Sequence, residues 1–368
     1  MGRDFWNGLA VSDLRPRRAI RDVSGSDSQA PHELEARTLL TSRRRFFSLL
    51  GGCATTLGFG FPQQLASAQT ASLRAVALTF DDLPSTSGGY PAMRRVTELL
   101  TTKLKRSGAP AIGFVNESKL FVRGEIDRRS ELLAMWLDAG LSLGNHSFSH
   151  VQIDQVTTAQ YRDEIVRGEA VTRMLLRERG RALTYYRHTQ LRTGPTADYQ
   201  VELATILNDL GYIVAPVTFD NDEYIFARVY EDAKSSGEAA AAQRIVDAYL
   251  AYMEQTFGFY ERLSVDTLGY EVRQTLLLHA NELNADHLEP LLGILQRRGY
   301  RFISLEEALE DPAYKLPQAQ SRRGISWLQR WRLARRLPTP DGPGVPTFIA
   351  ELMRSSEQRR RARPAATR

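Results

Sequence analysis

The sequence of 368 residues contains one cysteine, Cys53, so a disulfide within the chain is excluded. Long apolar runs are also missing. The Gly-rich apolar stretch 46–61 is shorter than the ~20 residues that a stable membrane-spanning helix needs. With 42% hydrophobic and 25% charged residues, the composition is that of a globular protein with its own core.

A basic stripe interleaved with aromatic residues is missing from the central part of the chain, so no nucleic-acid partner is expected. The net charge of +5 is unevenly distributed. Basic residues outnumber acidic ones by three in residues 1–70 and by nine in residues 311–368, which leaves residues 71–310 acidic. The arginine-rich end, 359–363, is expected to be a solvated, disordered tail, with contact to nucleic acid or anionic lipid as the alternative.

Residues 42–68 have the order of an export signal. Arg43 and Arg44 precede the apolar stretch, and Ala66-Ser67-Ala68 offers a small-residue cleavage site. The paired arginines are typical of the twin-arginine route, so we expect export to the periplasm or cell envelope, with membrane contact only in transit. A buried amphipathic helix is the alternative. Residues 1–41 form a polar leader, either a disordered extension or the result of a start codon placed too early.

From residue 72 onward, short apolar runs alternate with amphipathic helical patterns. The runs suit strands that are buried on both faces. Strands are predicted at Arg74–Phe80, Ala111–Asn116, Leu141–Asn145, Leu183–Arg187, Ile213–Phe219, Thr275–Leu278 and Arg301–Leu305. Helices are predicted at Ala92–Lys105, Arg128–Ala139, Ala159–Arg177, Ala197–Leu210, Glu238–Gln255 and Ala285–Arg298.

Seven strand–helix units predict an α/β fold, either a parallel barrel or a doubly wound sheet. Polar residues at the carboxyl ends of the strands favour the barrel, because barrel enzymes place their chemistry there. We expect one barrel domain at 72–310. Residues 311–368 are expected to form a C-terminal extension with a helix around 324–331 that covers the barrel and with the basic tail.

Two adjacent carboxylates, Asp81 and Asp82, end the first predicted strand. Carboxylates at the tip of an apolar strand are unfavourable unless something binds them. Neighbouring side chains diverge in an extended chain, so the two can take different roles. A cap or a turn is the alternative explanation for such a pair.

Two histidines, His146 and His150, end the third strand four residues apart, a spacing that puts both on one side of a helical turn. Together with Asp82 they would offer two nitrogens and a carboxylate to one divalent metal and leave positions open for water. Such a set suits zinc, and also iron, cobalt or manganese. For the histidine pair alone, a solvated helix face is the alternative.

These segments resemble the polysaccharide deacetylases of the NodB-homology family, carbohydrate esterase family 4. Thr79-Phe80-Asp81-Asp82 matches the first family motif, His146-Ser147-Phe148-Ser149-His150 the second, and Leu277-Leu278-His279 the fifth. Order and spacing agree over residues 75–305. The resemblance implies a distorted (β/α)7 barrel, with Asp82, His146 and His150 as metal ligands. It further implies Asp81 as general base and His279 as general acid.

Two further motifs match only in part. Arg187 begins the third, in which the resemblance assigns the arginine to orienting the base, but His188-Thr189-Gln190 lacks the Pro and Tyr of the family pattern. Asp220-Asn221-Asp222-Glu223-Tyr224 resembles the fourth, with Tyr in place of Trp. Asp220 would then pair with and orient another site residue. Tyr224 would form one wall of the substrate groove, with simple packing as the alternative.

Asn116 ends the second strand and would line the site or cap the strand end. The resemblance implies a metal-dependent enzyme that removes N-acetyl groups from chitin-like, peptidoglycan or exopolysaccharide N-acetylglucosamine and releases acetate. Hydrolysis of an ester or of a non-sugar amide is an alternative, as is a glycan-binding relative without turnover. An acetylated glycan is therefore the expected partner. The sequence carries no signal for an oligomeric state.

Overall fold

The computed structural model describes residues 74–86 and 88–362. The predicted leader and export signal, 1–41 and 42–68, lie outside these residues. No helix among the described residues is long and apolar enough to cross a membrane.

A parallel sheet of seven strands forms the centre of the described chain. The strands are β1 Ala75–Leu83, β2 Ala111–Val115, β3 Ser142–Asn145, β4 Tyr185–Tyr186, β5 Ile213–Val214, β6 Gln274–His279 and β7 Arg301–Ile303. Their order is β5-β4-β3-β2-β1-β6, and β7 pairs with β1. β1 is buried at every position except Asp82, which explains why its sequence is an apolar run rather than an alternation.

The sheet curls until its two ends meet. Past β5, Phe219 forms a parallel bridge with Leu276 of β6, and the Phe219 N–H donates to the Thr275 carbonyl at 3.0 Å. The ladder therefore runs from β1 through β5 and back to β6, and the distorted (β/α)7 barrel predicted from the sequence is confirmed. β4 and β5 are shorter than expected, because the chain at 183–187 and 213–219 is largely buried without continuous ladder pairing.

Helices surround the sheet and pack against it through their apolar sides. They are α1 Tyr90–Ser107, α2 Ile126–Asp138, α3 Thr158–Arg167, α4 Ala170–Arg177, α5 Ala197–Asp209, α6 Glu223–Ser235, α7 Ala239–Leu268, α8 Glu282–Arg297, α9 Leu305–Leu309, α10 Trp327–Ala334 and α11 Thr347–Ala362. The helix expected at Ala159–Arg177 is divided at Gly168 into α3 and α4. α6 was not predicted, and α7 extends beyond its predicted end at Gln255.

The C-terminal extension is helical. α10 forms where a covering helix was expected, with Trp327 and Trp331 buried, and a capping box at Ser326 begins it. The disordered tail expected at 359–363 is wrong for residues 359–362, which lie in α11. That helix buries Ile349 and packs against α6, where Arg359 forms an ion pair with Asp232 at 3.1 Å.

Candidate metal centre and active site

The two aspartates at the end of β1 are separated by a change in backbone direction. Asp81 is still paired in the sheet, where its register partner is His279 of β6, and it is buried. Asp82 has φ +70°, a left-handed backbone conformation that residues other than glycine seldom adopt. The turn therefore directs the Asp82 carboxylate away from Asp81, so the two side chains have different surroundings.

The segment after β3 that carries the two histidines is an irregular turn and not the helical turn expected from their spacing. Ser147 and His150 have φ of +65° and +57°. The Asn145 side chain accepts a hydrogen bond from the Ser147 N–H at 2.8 Å, and the Ser147 hydroxyl accepts one from the His150 N–H at 3.1 Å. These local bonds compete with helix formation and bring the rings of His146 and His150 to 5.0 Å, centroid to centroid.

Asp82, His146 and His150 together form a cluster that suits a metal ion, and each offers one ligand atom within 4.8 Å of the others. His146 Nδ1 lies 2.9 Å from the Arg187 carbonyl oxygen. A carbonyl can only accept, so the proton sits on Nδ1 and the Nε2 lone pair is free for a ligand. Burial lowers the pKa of both histidines to about 4, which keeps them neutral. The donor set and its protonation state fit one divalent cation.

The side chain of Lys119 lies beside the cluster, and no sequence pattern indicated this position. Its Nζ lies 3.4 Å from Asp82 Oδ1 and donates to the Asp82 carbonyl oxygen at 2.8 Å. Burial acts to raise the pKa of Asp82, but Lys119 and the two histidines outweigh it and hold that pKa well below its usual range. Asp82 is therefore ionised.

Asp81 faces the cluster from the strand side. Its Oδ1 lies 3.5 Å from Arg187 Nε and its Oδ2 lies 3.6 Å from His146 Nε2. Arg187 is itself fully buried and donates to the Thr79 hydroxyl at 2.7 Å. Burial raises the pKa of the Asp81 carboxyl, and the charge of Arg187 opposes that rise. The result is a desolvated carboxylate, oriented by an arginine and without a hydrogen-bond donor on Oδ1 among the described residues.

His279 faces the same region from β6, and its partner is Glu223 rather than Asp220. Glu223 Oε2 lies 2.7 Å from His279 Nδ1, and Asn284 and Asn281 both donate to Oε1. Burial acts to lower the pKa of His279, but the Glu223 hydrogen bond and charge outweigh it and raise that pKa to about 9. With Nδ1 held by Glu223, Nε2 remains available to a substrate.

The other predicted residues are placed less directly. Asp220 is partly buried and accepts a hydrogen bond from the Asn221 N–H, and desolvation together with Asp222 raises its pKa to about 7. The pairing predicted for Asp220 is made by Glu223, because α6 begins there and turns that side chain inward. Tyr224 is 51% exposed, so simple packing does not explain it. Asn116 is buried and donates to the His146 carbonyl at 2.6 Å, supporting the histidine turn.

Residues 68–215 match the family model described as polysaccharide deacetylase. This part of the chain, about two fifths of its length, is therefore similar to polysaccharide deacetylases. No curated protein is significantly similar to the chain.

Solved structures match part of the chain at low identity. A family 4 carbohydrate esterase from Streptomyces lividans, solved with acetate, is 21% identical over 64% of this chain and 95% of its own, with a TM-score of 0.40. Peptidoglycan deacetylase PdaC from Bacillus subtilis is 20% identical over 65% and 93%, also at 0.40. A CE4 family pseudoenzyme from Bacillus anthracis is 16% identical over 65% and 66%, again at 0.40.

Proposed function

We propose that the protein is a metal-dependent hydrolase that removes N-acetyl groups from a carbohydrate and releases acetate. The observation that carries this proposal is the placement of Asp81 and His279, register partners on adjacent strands, beside the cluster of Asp82, His146 and His150. A carboxylate and a raised-pKa histidine flanking an open metal site are the parts that amide hydrolysis needs. The family match of residues 68–215 supports the same reaction class.

Asp82, His146 and His150 would hold one divalent cation, with zinc the first candidate and cobalt, iron or manganese the alternatives. When bound, the cation would supply Lewis-acid polarisation of the amide carbonyl and would make water more acidic. Three protein ligands leave coordination positions open. Lys119 would stay beside Asp82 and add a second positive charge at the edge of the site.

Asp81 would act as the general base and accept a proton from the attacking water. Its burial makes the carboxylate more basic than an exposed one, and Arg187 orients it. Arg187 also restrains the metal ligand His146 through its backbone carbonyl, so one residue supports both the base and the ligand.

His279 would act as the general acid and protonate the leaving nitrogen from Nε2. Its raised pKa means that it carries its proton at neutral pH, and Glu223 keeps the ring in one orientation. A bound divalent cation would lower this pKa by repulsion, toward the range in which a histidine both holds and donates a proton.

The substrate would be an N-acetylglucosamine polymer of the chitin, peptidoglycan or exopolysaccharide kind. The exposed ring of Tyr224 follows the strand end that carries Asp220 and offers an apolar wall for a sugar. Hydrolysis of an acetyl ester on the same site is a separate outcome. A second alternative function is glycan binding without turnover, and the changed third motif is the feature that favours this alternative.

The test uses purified full-length protein, stripped of metal with a chelator and reloaded with one cation at a time. Acetate release is measured on acetylated chito-oligomers, peptidoglycan and an acetyl ester. We expect release from at least one glycan that depends on metal, and one equivalent of metal per chain. His146→Ala should lose both. His287→Ala is the control, because His287 lies in α8 against Tyr230 and should lose neither. Metal binding without acetate release from any substrate would contradict the proposal.

A further inference from the structure

A segment of the C-terminal extension, outside the family match, packs directly on the loop that follows β4. The side chain of Arg330 in α10 is completely buried. Its guanidinium donates to the Leu191 carbonyl at 2.7 Å, to the Thr193 hydroxyl at 3.1 Å and to the Ala319 carbonyl at 3.2 Å. Two of these three bonds go to the loop that begins at the active-site residue Arg187.

That loop has an unfavourable backbone. Gln190 and Leu191 both have φ of +53°, although neither is a glycine. The loop also lacks the proline of the family pattern, and the backbone bonds within it are few: Leu191 N–H donates to the His188 carbonyl at 3.2 Å and Arg192 N–H to the Thr189 carbonyl at 3.1 Å. Left-handed conformations of ordinary residues persist only where the surroundings determine them. The hydrogen bond from the Arg330 guanidinium to the Leu191 carbonyl is one contact that stabilises this conformation.

The extension also packs its backbone closely against the outer side of this turn. A Cβ added at Gly324 would lie 1.9 Å from the Gln190 carbonyl oxygen, so only glycine allows the two backbones to come this close. Gly324 is exposed, which means that a larger residue there would push the loop without opening a hole in the core.

The same segment is anchored to the neighbouring strand end. The Trp327 N–H donates to the Val217 carbonyl at 2.7 Å, and the Ser326 hydroxyl donates to the Thr218 carbonyl at 2.7 Å. Val217 and Thr218 lead directly into Asp220. The start of α10 therefore joins two consecutive strand ends, one carrying Arg187 and one carrying Asp220.

Charges of opposite sign alternate along this junction. Asp81 is 3.5 Å from Arg187, and the charge of Asp220 acts on both Arg187 and Arg330. Arg330 forms no ion pair within 4 Å among the described residues. Its positive charge is therefore not neutralised by a carboxylate of the extension.

We propose that residues 324–330 are a positioning element of the active site, in which Gly324 and Arg330 hold the Gln190–Leu191 turn and so fix Arg187 against Asp81. The inference rests on the proposed function, because Asp81 is the base through which the effect would be felt. Arg330 does not touch the reacting atoms. The extension thus replaces the constraint that proline supplies in the family pattern of the third motif.

The experiment uses the full chain loaded with metal and five variants, four of them in matched pairs and the fifth, Arg330→Lys, as a conservative replacement. Arg330→Met and Gly324→Ala disturb the turn. Arg332→Met is the control for the first, because Arg332 lies on the same helix but bonds to Thr267 and Pro338. Gly344→Ala is the control for the second, because a Cβ there meets nothing within 4 Å.

We expect Arg330→Met and Gly324→Ala to lower kcat by ~10²-fold with KM within about twofold of wild type, since a misplacement of about 1 Å at a site has an effect of this size. The controls should keep wild-type kcat. Arg330→Lys should recover part of kcat, because lysine retains the charge and at least one of the bonds. In Gly324→Ala the thermal midpoint should stay within a few degrees of wild type.

Hydrogen exchange provides a readout that does not depend on turnover. Peptides covering 188–194 should exchange at least tenfold faster in Arg330→Met and Gly324→Ala than in their controls. Wild-type kcat in both variants, or a kcat that falls only as far as the unfolded fraction rises, would overturn the inference. If the wild type releases no acetate from any substrate, the proposed function fails, and unchanged exchange at 188–194 would then overturn the inference by itself.

Discussion

At the scale of single residues, the neighbouring carboxylates of β1 show how one change in φ separates two chemical roles. Asp81 remains in the sheet, buried against Arg187, whereas Asp82 turns toward Lys119 and the histidines. Asp81 has a raised pKa and Asp82 a lowered one, so the more basic carboxylate is the one outside the metal cluster. This contrast leads to different expectations for the two asparagine variants.

We predict that Asp81→Asn keeps its metal and its fold but loses turnover by ~10²–10⁴-fold, the usual contribution of a positioned base. Asp82→Asn should first weaken metal binding, and its rate should partly recover at high metal concentration. Both variants are measured for metal affinity and acetate release, beside Asp163→Asn, an exposed aspartate, as the control. If Asp81→Asn lost metal as severely as Asp82→Asn, both carboxylates would be ligands.

Glu223 determines the proton affinity of His279, so Glu223→Gln should change the pH dependence of the rate. The glutamate raises the pKa of His279, and the protonated form is the acid. Activity that needs this proton is present at low pH and disappears as pH rises through that pKa. Removing the charge lowers the pKa, so we predict that the alkaline limb of kcat moves to lower pH.

The measurement is kcat against pH for the wild type, Glu223→Gln and a control, Glu261→Gln. Glu261 is also buried, but it pairs with Arg298 and Arg74 rather than with His279. The control should keep the wild-type limb. An alkaline limb that stays in place in Glu223→Gln would mean that His279 is not the group that titrates there.

The sequence predicted which site residues come together better than it predicted their partners. Asp81, Asp82, His146 and His279 lie at or just after the carboxyl ends of apolar strands, and these ends of parallel strands meet at one edge of a barrel. Glu223 was missed although its segment was identified, because four acidic or amide residues in a row give no signal for which one turns inward. Deciding that requires knowing that α6 begins at Glu223. Lys119 lies in a short turn without periodicity and left no pattern to follow.

At the scale of elements, the break between α3 and α4 is shaped by the metal-binding turn. A Cβ at Gly168 would lie 2.6 Å from the Ser147 carbonyl carbon and 2.7 Å from the Phe148 nitrogen. The backbone between His146 and His150 therefore rests directly on Gly168, and a continuous helix with a larger residue there would displace it.

We predict that Gly168→Ala weakens metal binding by at least ~10-fold, about 1.4 kcal/mol, because the turn must shift to make room. Gly293→Ala is the control, since that helical glycine would meet only the end of the flexible Arg297 side chain. The control should be neutral or slightly stabilising, as alanine is preferred in helices. Metal titration of both variants, with thermal unfolding alongside, decides the matter, and equal affinities would contradict the prediction.

The elements that the sequence predicted best are those whose burial and pairing coincide. β1, β2 and β6 match within a few residues, because each is a continuous apolar run flanked by paired strands. At 213–219 the run is apolar because Val217 and Phe219 are buried, yet only two residues form a regular strand there. An apolar run predicts that a segment is buried, whereas the hydrogen bonds between strands depend on how the barrel closes.

At the scale of the whole molecule, the segment that precedes the described residues carries the proposal for export. We propose that residues 42–68 direct the protein through the twin-arginine route and that cleavage after Ala68 leaves Gln69 as the first residue. Terminal sequencing of the exported protein checks this. Replacing Arg43 and Arg44 together with lysine should leave the uncleaved precursor in the cell. An exported form that still begins before Arg43 would refute the cleavage site.

The central position of β1 determines when the sheet can be completed. The Thr79 hydroxyl donates to the Leu276 carbonyl across 197 residues of sequence, and the Arg74 side chain donates to the Arg298 carbonyl across 224. The first strand to be synthesised, β1, can therefore complete its pairing only after β6 and β7 have been synthesised. Until residues near 303 have left the ribosome, an edge of β1 has no partner, and such an edge is open to pairing with other chains. Folding of this domain is consequently a late and slow event, dominated by contacts distant in sequence, and nascent chains that stop before β6 are the form most exposed to aggregation.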